Sequence, residues 1–240
     1  MSDERFAQDT DNEHALSLLA ASSVHDIKNS LSMLLQTLEE VIRATPNQSS
    51  ELRKQFGTLQ GEAVRINNDL IYFLGLYRLQ KNQLPLQIQS VFVADFLQEQ
   101  LVANALLFEI RDITLTLDCD DKLGAYFDPA LIAGIVNNVL VNAARYAKKS
   151  VEIRAATNDG QLVIEVRDDG TGFPQKMLAQ GNASASSNAD RGIDFSTGST
   201  NLGLHFAAEV AAMHKRGNIC GGIELRNLLD GGGCFTLRLP

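Results

Sequence analysis

The sequence predicts an all-α helical hairpin that pairs into a dimeric four-helix bundle, followed by an α+β two-layer sandwich domain. Two observations predict it: two long runs of heptad-spaced apolar residues come first, and shorter runs of alternating strand and helix pattern follow. At 240 residues the chain is long enough for two small domains, each with a usable core.

The first run is Ala20, Val24, Ile27, Leu31, Leu34, Leu38 and Val41, spaced alternately by 4 and 3 residues, which is the seam of a long helix. Residues 45–50, Thr-Pro-Asn-Gln-Ser-Ser, break it. Leu52, Phe56, Leu59, Ala63, Ile66, Leu70, Phe73 and Tyr77 then repeat the spacing, so a short turn joins two antiparallel helices. Leu35, Ile42, Ile71 and Leu74 flank the seams, more apolar surface than one facing helix covers. A second copy would cover it, giving a homodimer with helices crossing at about 20°.

Heptads end near Leu79, and Pro85 biases its predecessor away from helix. The expected division is a disordered N-terminal segment over 1–13, the hairpin over 14–81, a linker over 82–90 and a second domain over 91–240. In that domain the patterns predict a strand over 86–91, a helix over 94–107 and a strand over 113–117. Asp128-Pro129 opens a helix running to about Lys148, with Asp as cap and Pro in the first turn. Residues 151–155 and 162–166 read as paired strands, 202–214 as a helix, and 219–225 and 234–239 as strands about the turn Asp230-Gly231-Gly232-Gly233. Residues 181–199, rich in Ser, Ala and Asn, bury too little to offset their ordering entropy and are expected to be mobile.

The net charge of −8, with no basic block, disfavours nucleic acid and anionic membrane surfaces as partners. No stretch is long and apolar enough to span a bilayer, and the N-terminus lacks the pattern of a signal peptide, so a cytoplasmic location is expected. Cys119, Cys220 and Cys234 show neither paired nor metal-site spacing and are expected to be buried, reduced thiols.

Four constellations carry chemistry. His25 falls one position off the seam, on the face a bundle leaves wet, with Asn29 one turn on and Asp26 beside it. It is either an ordinary surface histidine or a nucleophile oriented by Asp26. Asn138, Asn142 and Arg145 share a helix face, with Tyr146 adjacent. Mid-helix asparagines have poor propensity, so the stripe is either half-buried polar packing or a face for Mg²⁺ and phosphate oxygens. Asp168-Asp169-Gly170-Thr171-Gly172 follows a strand, where its glycines permit a plain turn or close backbone approach to a ligand. Gly198-Ser-Thr-Asn-Leu-Gly203-Leu204 leads into a helix N-terminus, which caps the helix or faces phosphate.

In this order, over about residues 14–240, the four resemble the boxes of the bacterial sensor histidine kinases, whose ATP-binding half belongs to the gyrase, heat-shock-90, histidine kinase and MutL superfamily. His25-Asp26-Ile27-Lys28-Asn29 resembles the phospho-acceptor box, Asn138 to Tyr146 the asparagine box, Asp168 to Gly172 the first glycine box and Gly198 to Leu204 the second. The resemblance implies the Bergerat sandwich for residues 91–240, with an ATP lid at about 174–200. It implies an ATP-dependent autokinase, with His25 phosphorylated, Asp26 as its base or orienter and Asn29 supporting phosphatase action. Nucleotide contacts would come from Asn138, Asn142, Arg145, Tyr146, Asp168, Gly170, Gly172, Gly198, Thr200, Leu202, Gly203 and Leu204, with Asn142 holding Mg²⁺. Implied partners are a response-regulator receiver domain, a second copy, and a separate sensory or regulatory protein. His214 reads as structural.

Departures from the pattern are Ser30 for the usual proline, Arg145 for lysine, Asn201 for a common glycine, and a lid without a recognisable aromatic box. Two rival functions stay open at this level: a kinase-like phosphotransfer protein or phosphatase that does not use ATP, and a nucleotide-binding scaffold without turnover.

Overall fold

The computed structural model describes residues 27, 29–38, 40–41, 44, 50–81, 83–181 and 202–240. The N-terminal segment, His25, Asp26, the hairpin turn and most of the expected lid, with Gly198 and Thr200, lie outside the described residues.

Residues 29–38 are helical (α1). Helix α2, Ser50–Gln80, fills the second heptad run. Then come β1 (Gln89–Phe92), α3 (Val93–Ile110), β2 (Thr114–Cys119), β3 (Gly124–Phe127), α4 (Pro129–Tyr146), β4 (Ser150–Asn158) and β5 (Gln161–Asp168). They are followed by α5 (Gln175–Gly181), α6 (Leu202–Met213), β6 (Lys215–Arg216), β7 (Ile219–Cys220), β8 (Gly222–Asn227) and β9 (Gly233–Leu239).

The main sheet has the order β2-β4-β5-β9-β8, with β2 and β4 parallel and the other neighbours antiparallel. Register explains its two faces. Ile153, Val166 and Phe235 lie opposite one another across β4, β5 and β9, and so do Ala155, Ile164 and Leu237, all within the one core built with α3, α4 and α6. The alternate positions carry ions instead: Glu165 accepts from Arg167 and from Arg226, and Arg238 pairs with Glu224 at 3.3 Å. This period-2 partition is the two-layer sandwich expected from the sequence.

Asp128 ties three elements together. Its Oδ1 accepts from the N–H groups of Ala130 and Leu131 at 3.0 and 3.1 Å, satisfying two orphan donors of α4, with Pro129 in the first turn. Its Oδ2 accepts from Gln87 N–H at 2.8 Å, fixing the approach to β1. Its own N–H donates to His214 Nε2 at 3.1 Å, while His214 Nδ1 lies 2.8 Å from Val210 O. His214 is therefore a neutral, buried bridge between α6 and the α4 cap.

Three sequence expectations change. Residues 219–225 are not one strand but β7 and β8, divided at Gly221, where a Cβ would collide with the carbonyl of Ala211. Cys220 is exposed and Cys119 half-buried; only Cys234 is a buried thiol. The buried face of α2 is also rotated from the heptad seam. Gly57, Gln60, Ala63, Asn68, Tyr72 and Leu76 are buried, whereas Leu52, Leu59, Ile66 and Phe73 are exposed. The flanking residue Ile71, which the sequence pattern assigned to a partner copy, packs instead on the core of the second domain of its own chain.

The rotation follows from how α2 lies antiparallel along α4. Arg145 pairs with Glu62 at 3.7 Å, Asn137 Nδ2 donates to Asn68 Oδ1 at 3.4 Å, and Tyr72 Oη donates to Gly134 O at 3.1 Å. Tyr72 also meets Phe206 of α6, ring centroids 5.1 Å apart. Glycines on α2 let the second domain approach: a Cβ at Gly75 would run into the Phe206 ring, and one at Gly57 would meet Ile110 Cγ2 at 2.6 Å. Nearby, Arg111 donates to Ala144 O at 3.2 Å and to Gly57 O at 3.4 Å.

This contact gives a test with opposite signs. In a free helix, Gly75→Ala raises stability by roughly 0.5–1 kcal/mol. Against Phe206 it is expected to lower stability by about 1–3 kcal/mol, read as a lower urea midpoint. A raised midpoint means that α2 is not docked in solution.

Candidate functional site

A cavity of about 230 Å³ lies between α4, the end of β5, the start of α6 and one face of α2. Asn138, Asn142, Arg145, Tyr146, Asp168, Gly172, Gly203 and Leu204, all singled out from sequence, line it. Three sequence-distant stretches thus converge on one space.

The asparagine stripe comes from α4. Asn142 Nδ2 donates to Asn138 Oδ1 at 3.3 Å, as their four-residue spacing predicts. Asn138 also abuts α6: a Cβ at Gly203 would overlap the Asn138 amide, so glycine is the residue that lets helix and amide meet. Leu202, one residue earlier, is buried in the core and outside the cavity lining. At the far end of α4, Arg145 is shared between Glu62 and the face of Tyr146, its guanidinium carbon 5.6 Å from the ring centroid.

Asp168 ends β5. Its Oδ1 accepts from Gly170 N–H at 2.8 Å, an Asx turn that reverses the chain. A Cβ at Gly170 would strike the Tyr146 carbonyl, and one at Gly233 would lie 2.9 Å from Asp168 Oδ2. Gly172, at φ +76°, occupies the left-handed region that favours glycine. The first glycine box is therefore a turn and a close approach at once. Asn227 holds the next residues, accepting from Phe173 N–H at 2.7 Å and donating to Phe173 O at 3.0 Å.

Asn29 lies exposed on α1. His25, Asp26, Gly198 and Thr200 lie outside the described residues. Sequence reasoning missed the contribution of α2, whose Arg65, Asn68 and Asp69 line the cavity opposite α4. A signal was present: Asn67-Asn68 in mid-helix has the same poor propensity as the α4 asparagines. Asp169 and Asn227 were also unmarked, because their partners are backbone groups that no side-chain pattern reveals.

Electrostatics tie these pieces together. Arg65 grips Glu62 at 2.8 Å and reaches Asp69 at 3.4 Å. The Arg65 hydrogen bond, with help from Arg145 and Arg111, holds the Glu62 carboxyl below its ordinary range. Asp169 accepts from the N–H of Lys148 at 2.7 Å and of Lys149 at 3.0 Å, fastening the α4–β4 connection to the end of β5. Burial raises its pKa, but these backbone donors and Ser150 outweigh burial and lower it.

The comparisons with known proteins agree with this geometry. Residues 127–240 match the family described as Histidine kinase-, DNA gyrase B-, and HSP90-like ATPase. The Streptomyces coelicolor signal transduction histidine-protein kinase AfsQ2 is 28% identical over 99% of this chain and 44% of its own length. The Synechocystis sensor histidine kinase RppB is 25% identical over 92% of this chain and 48% of its own. The chain thus spans about half the length of these relatives. Among solved structures, Acinetobacter baumannii histidine kinase AdeS superposes with a TM-score of 0.57 at 17% identity, covering 88% of this chain and 95% of that one. Full-length ShkA in complex with AMPPNP gives 0.61 at 17% identity, covering 92% of this chain and 45% of that one. Residues 127–240 thus form a domain similar to the histidine kinase-, gyrase B- and HSP90-like ATPases. With its helical N-terminal region, the chain is similar to sensor histidine kinases over nearly its whole length. No helix among the described residues is long and apolar enough to cross a membrane.

The Asp169 network sets a pH dependence. A carboxyl whose folded pKa is lowered adds stability that is fully present above the unfolded value, ordinarily 3.8, and is lost as pH falls through the folded value. Asp169→Asn is therefore expected to lower the urea midpoint at pH 7, and the difference from the native chain should close as pH drops below 3.8. A difference that persists unchanged at low pH would refute this.

Proposed function

We propose that this chain is an ATP-dependent protein-histidine kinase that phosphorylates its own His25 and passes the phosphoryl group to an aspartate on the receiver domain of a response regulator. The observation that carries the reading is the single cavity on which Asn138, Asn142, Asp168, Gly172, Gly203 and Leu204 converge against a hairpin helix.

Asp168 accepts from the exocyclic amine of adenine, and Gly170 and Gly172 admit the backbone close to the base. Asn138, Arg145, Tyr146 and the α6 start at Gly203 and Leu204 serve the triphosphate, aided by Gly198 and Thr200 of a lid over about 174–200, while Leu202 anchors α6 in the core. Asn142 fits Mg²⁺: its Nδ2 is engaged by Asn138, leaving Oδ1 as the hard oxygen ligand that ion prefers. Bound there, the ion would neutralise charge on the phosphate oxygens.

A ring nitrogen of His25 attacks the γ-phosphorus. The P–N bond forms as the bond to the β,γ-bridging oxygen breaks, ADP leaves with that electron pair, and Asp26 holds or takes the proton on the other ring nitrogen. A receiver aspartate then takes the phosphoryl group, and Asn29, one helical turn beyond His25, orients water for its later hydrolysis.

The domains in this reading are the hairpin over 14–81, the linker over 82–90 and the catalytic domain over 91–240. His25 lies as many residues before Thr45 as Leu70 lies after Ser50, so an antiparallel hairpin turning between them brings the nucleophile level with the part of α2 that borders the cavity. The α2–α4 contact, made through an ion pair, an amide pair and a phenol on a carbonyl, is small enough to permit domain swinging. A homodimer is supported by exposed apolar residues at seven-residue steps, Leu52, Leu59, Ile66 and Phe73 on α2 with exposures of 41%, 59%, 45% and 51%. Ile27, Leu34 and Val41 repeat the step and are exposed too. Input would come from a separate sensory or regulatory protein or from other parts of a longer chain.

Incubation with γ-labelled ATP and Mg²⁺ tests the reading. Acid-labile label on the native chain, absent from His25→Gln and chased onto a receiver, is expected. Absence of label on the native chain, or label retained in His25→Gln, contradicts it.

A further inference from the structure

The nucleotide reading leaves α2 without a chemical task, yet α2 contributes one wall of the cavity. Asn68 is 5% exposed, and its Oδ1 accepts from Asn137. Its Nδ2 is buried with no hydrogen-bond partner among the described residues, although the side chain lines the cavity. Buried amide donors are rarely left unpaired, because desolvation without a bond is costly. Gln60, equally buried on the same face, also leaves an oxygen unpaired, but it does not line the cavity.

The neighbours say which part of a ligand Asn68 would meet. Asn137, its partner, adjoins Asn138, which abuts Gly203 at the start of α6. One helical turn on, Tyr72 contacts Gly134 and Phe206, so this stretch of α2 sits over the α4–α6 groove rather than over Asp168. That groove is the phosphate end of the reading above. The nearby Arg65 already has Glu62 and Asp69 as ion partners. Among the described residues, the buried donor on this wall without a partner is the Asn68 amide.

We propose that Asn68 is a nucleotide-binding residue supplied by the hairpin helix, its Nδ2 donating to a phosphate oxygen of an adenine nucleoside triphosphate held in the cleft. This rests on the nucleotide reading. A ligand bonded to both domains holds them together, so nucleotide occupancy and docking of α2 favour one another to the same extent.

The test is calorimetric titration of the full chain with a non-hydrolysable ATP analogue and, separately, with adenosine. Asn68→Ala removes the donor; Asn68→Asp keeps the volume and the acceptor for Asn137 but faces phosphate with a carboxylate. Both are expected to weaken the analogue by about ten-fold or more, with Asp the worse, and to leave adenosine unchanged. Unchanged analogue affinity, or equal loss for both ligands, overturns the proposal. So does unfolding of both variants without nucleotide, which would assign the amide to the fold. If the native chain binds neither ligand, the nucleotide reading itself fails, and this failure is visible before any variant is made.

Discussion

The close contact between α2 and α4 is the constraint on which the rest depends. It is made of weak parts, an ion pair at 3.7 Å, an amide pair at 3.4 Å and a phenol on a helix carbonyl at 3.1 Å. Missing bulk at Gly57 and Gly75 lets α2 close on α3 and α6 as well, where side chains would strike Ile110 and Phe206. Loss of that approach would open the cavity on one side, and the asparagine stripe of α4 would face solvent.

Around this contact the second domain is held at both ends of α4. Asp128 gathers the linker end, the α4 N-terminus and His214, while Asp169 pins the other end of α4 to the strand that bears Asp168. Helix α4 is thus fixed at both ends by carboxylates bound to backbone donors. Charge-assisted bonds of this kind are strong and directional, so they set where the asparagines stand rather than merely adding stability.

Much of the fold was legible because it follows from periodicity. The Asp128-Pro129 start of α4, the antiparallel pairing of β4 with β5 and the Gly-rich turn before β9 each carry a local signature. Strands β3 and β6 did not, being only four and two residues long. The face of α2 that packs on the second domain carries no sequence mark for a physical reason: glycine, glutamine and asparagine do not register as a packing face, although Gly57, Gln60 and Asn68 are buried. The cleft residues of the second domain were legible as boxes, because turn glycines and mid-helix asparagines are locally unfavourable and need a reason. The α2 wall was not, since its relation to α4 is tertiary, and a heptad pattern draws attention to the opposite side of the helix.

Backbone amide chemical-shift mapping of the isotopically labelled chain, titrated with ADP and Mg²⁺, tests most directly whether hairpin helix and nucleotide domain share one binding cavity. The account predicts concerted shifts at Gly170, Gly172 and Gly203 and at Arg65, Asn68 and Asp69. Shifts in the nucleotide domain with none in α2, or no saturable shifts in either, would contradict it.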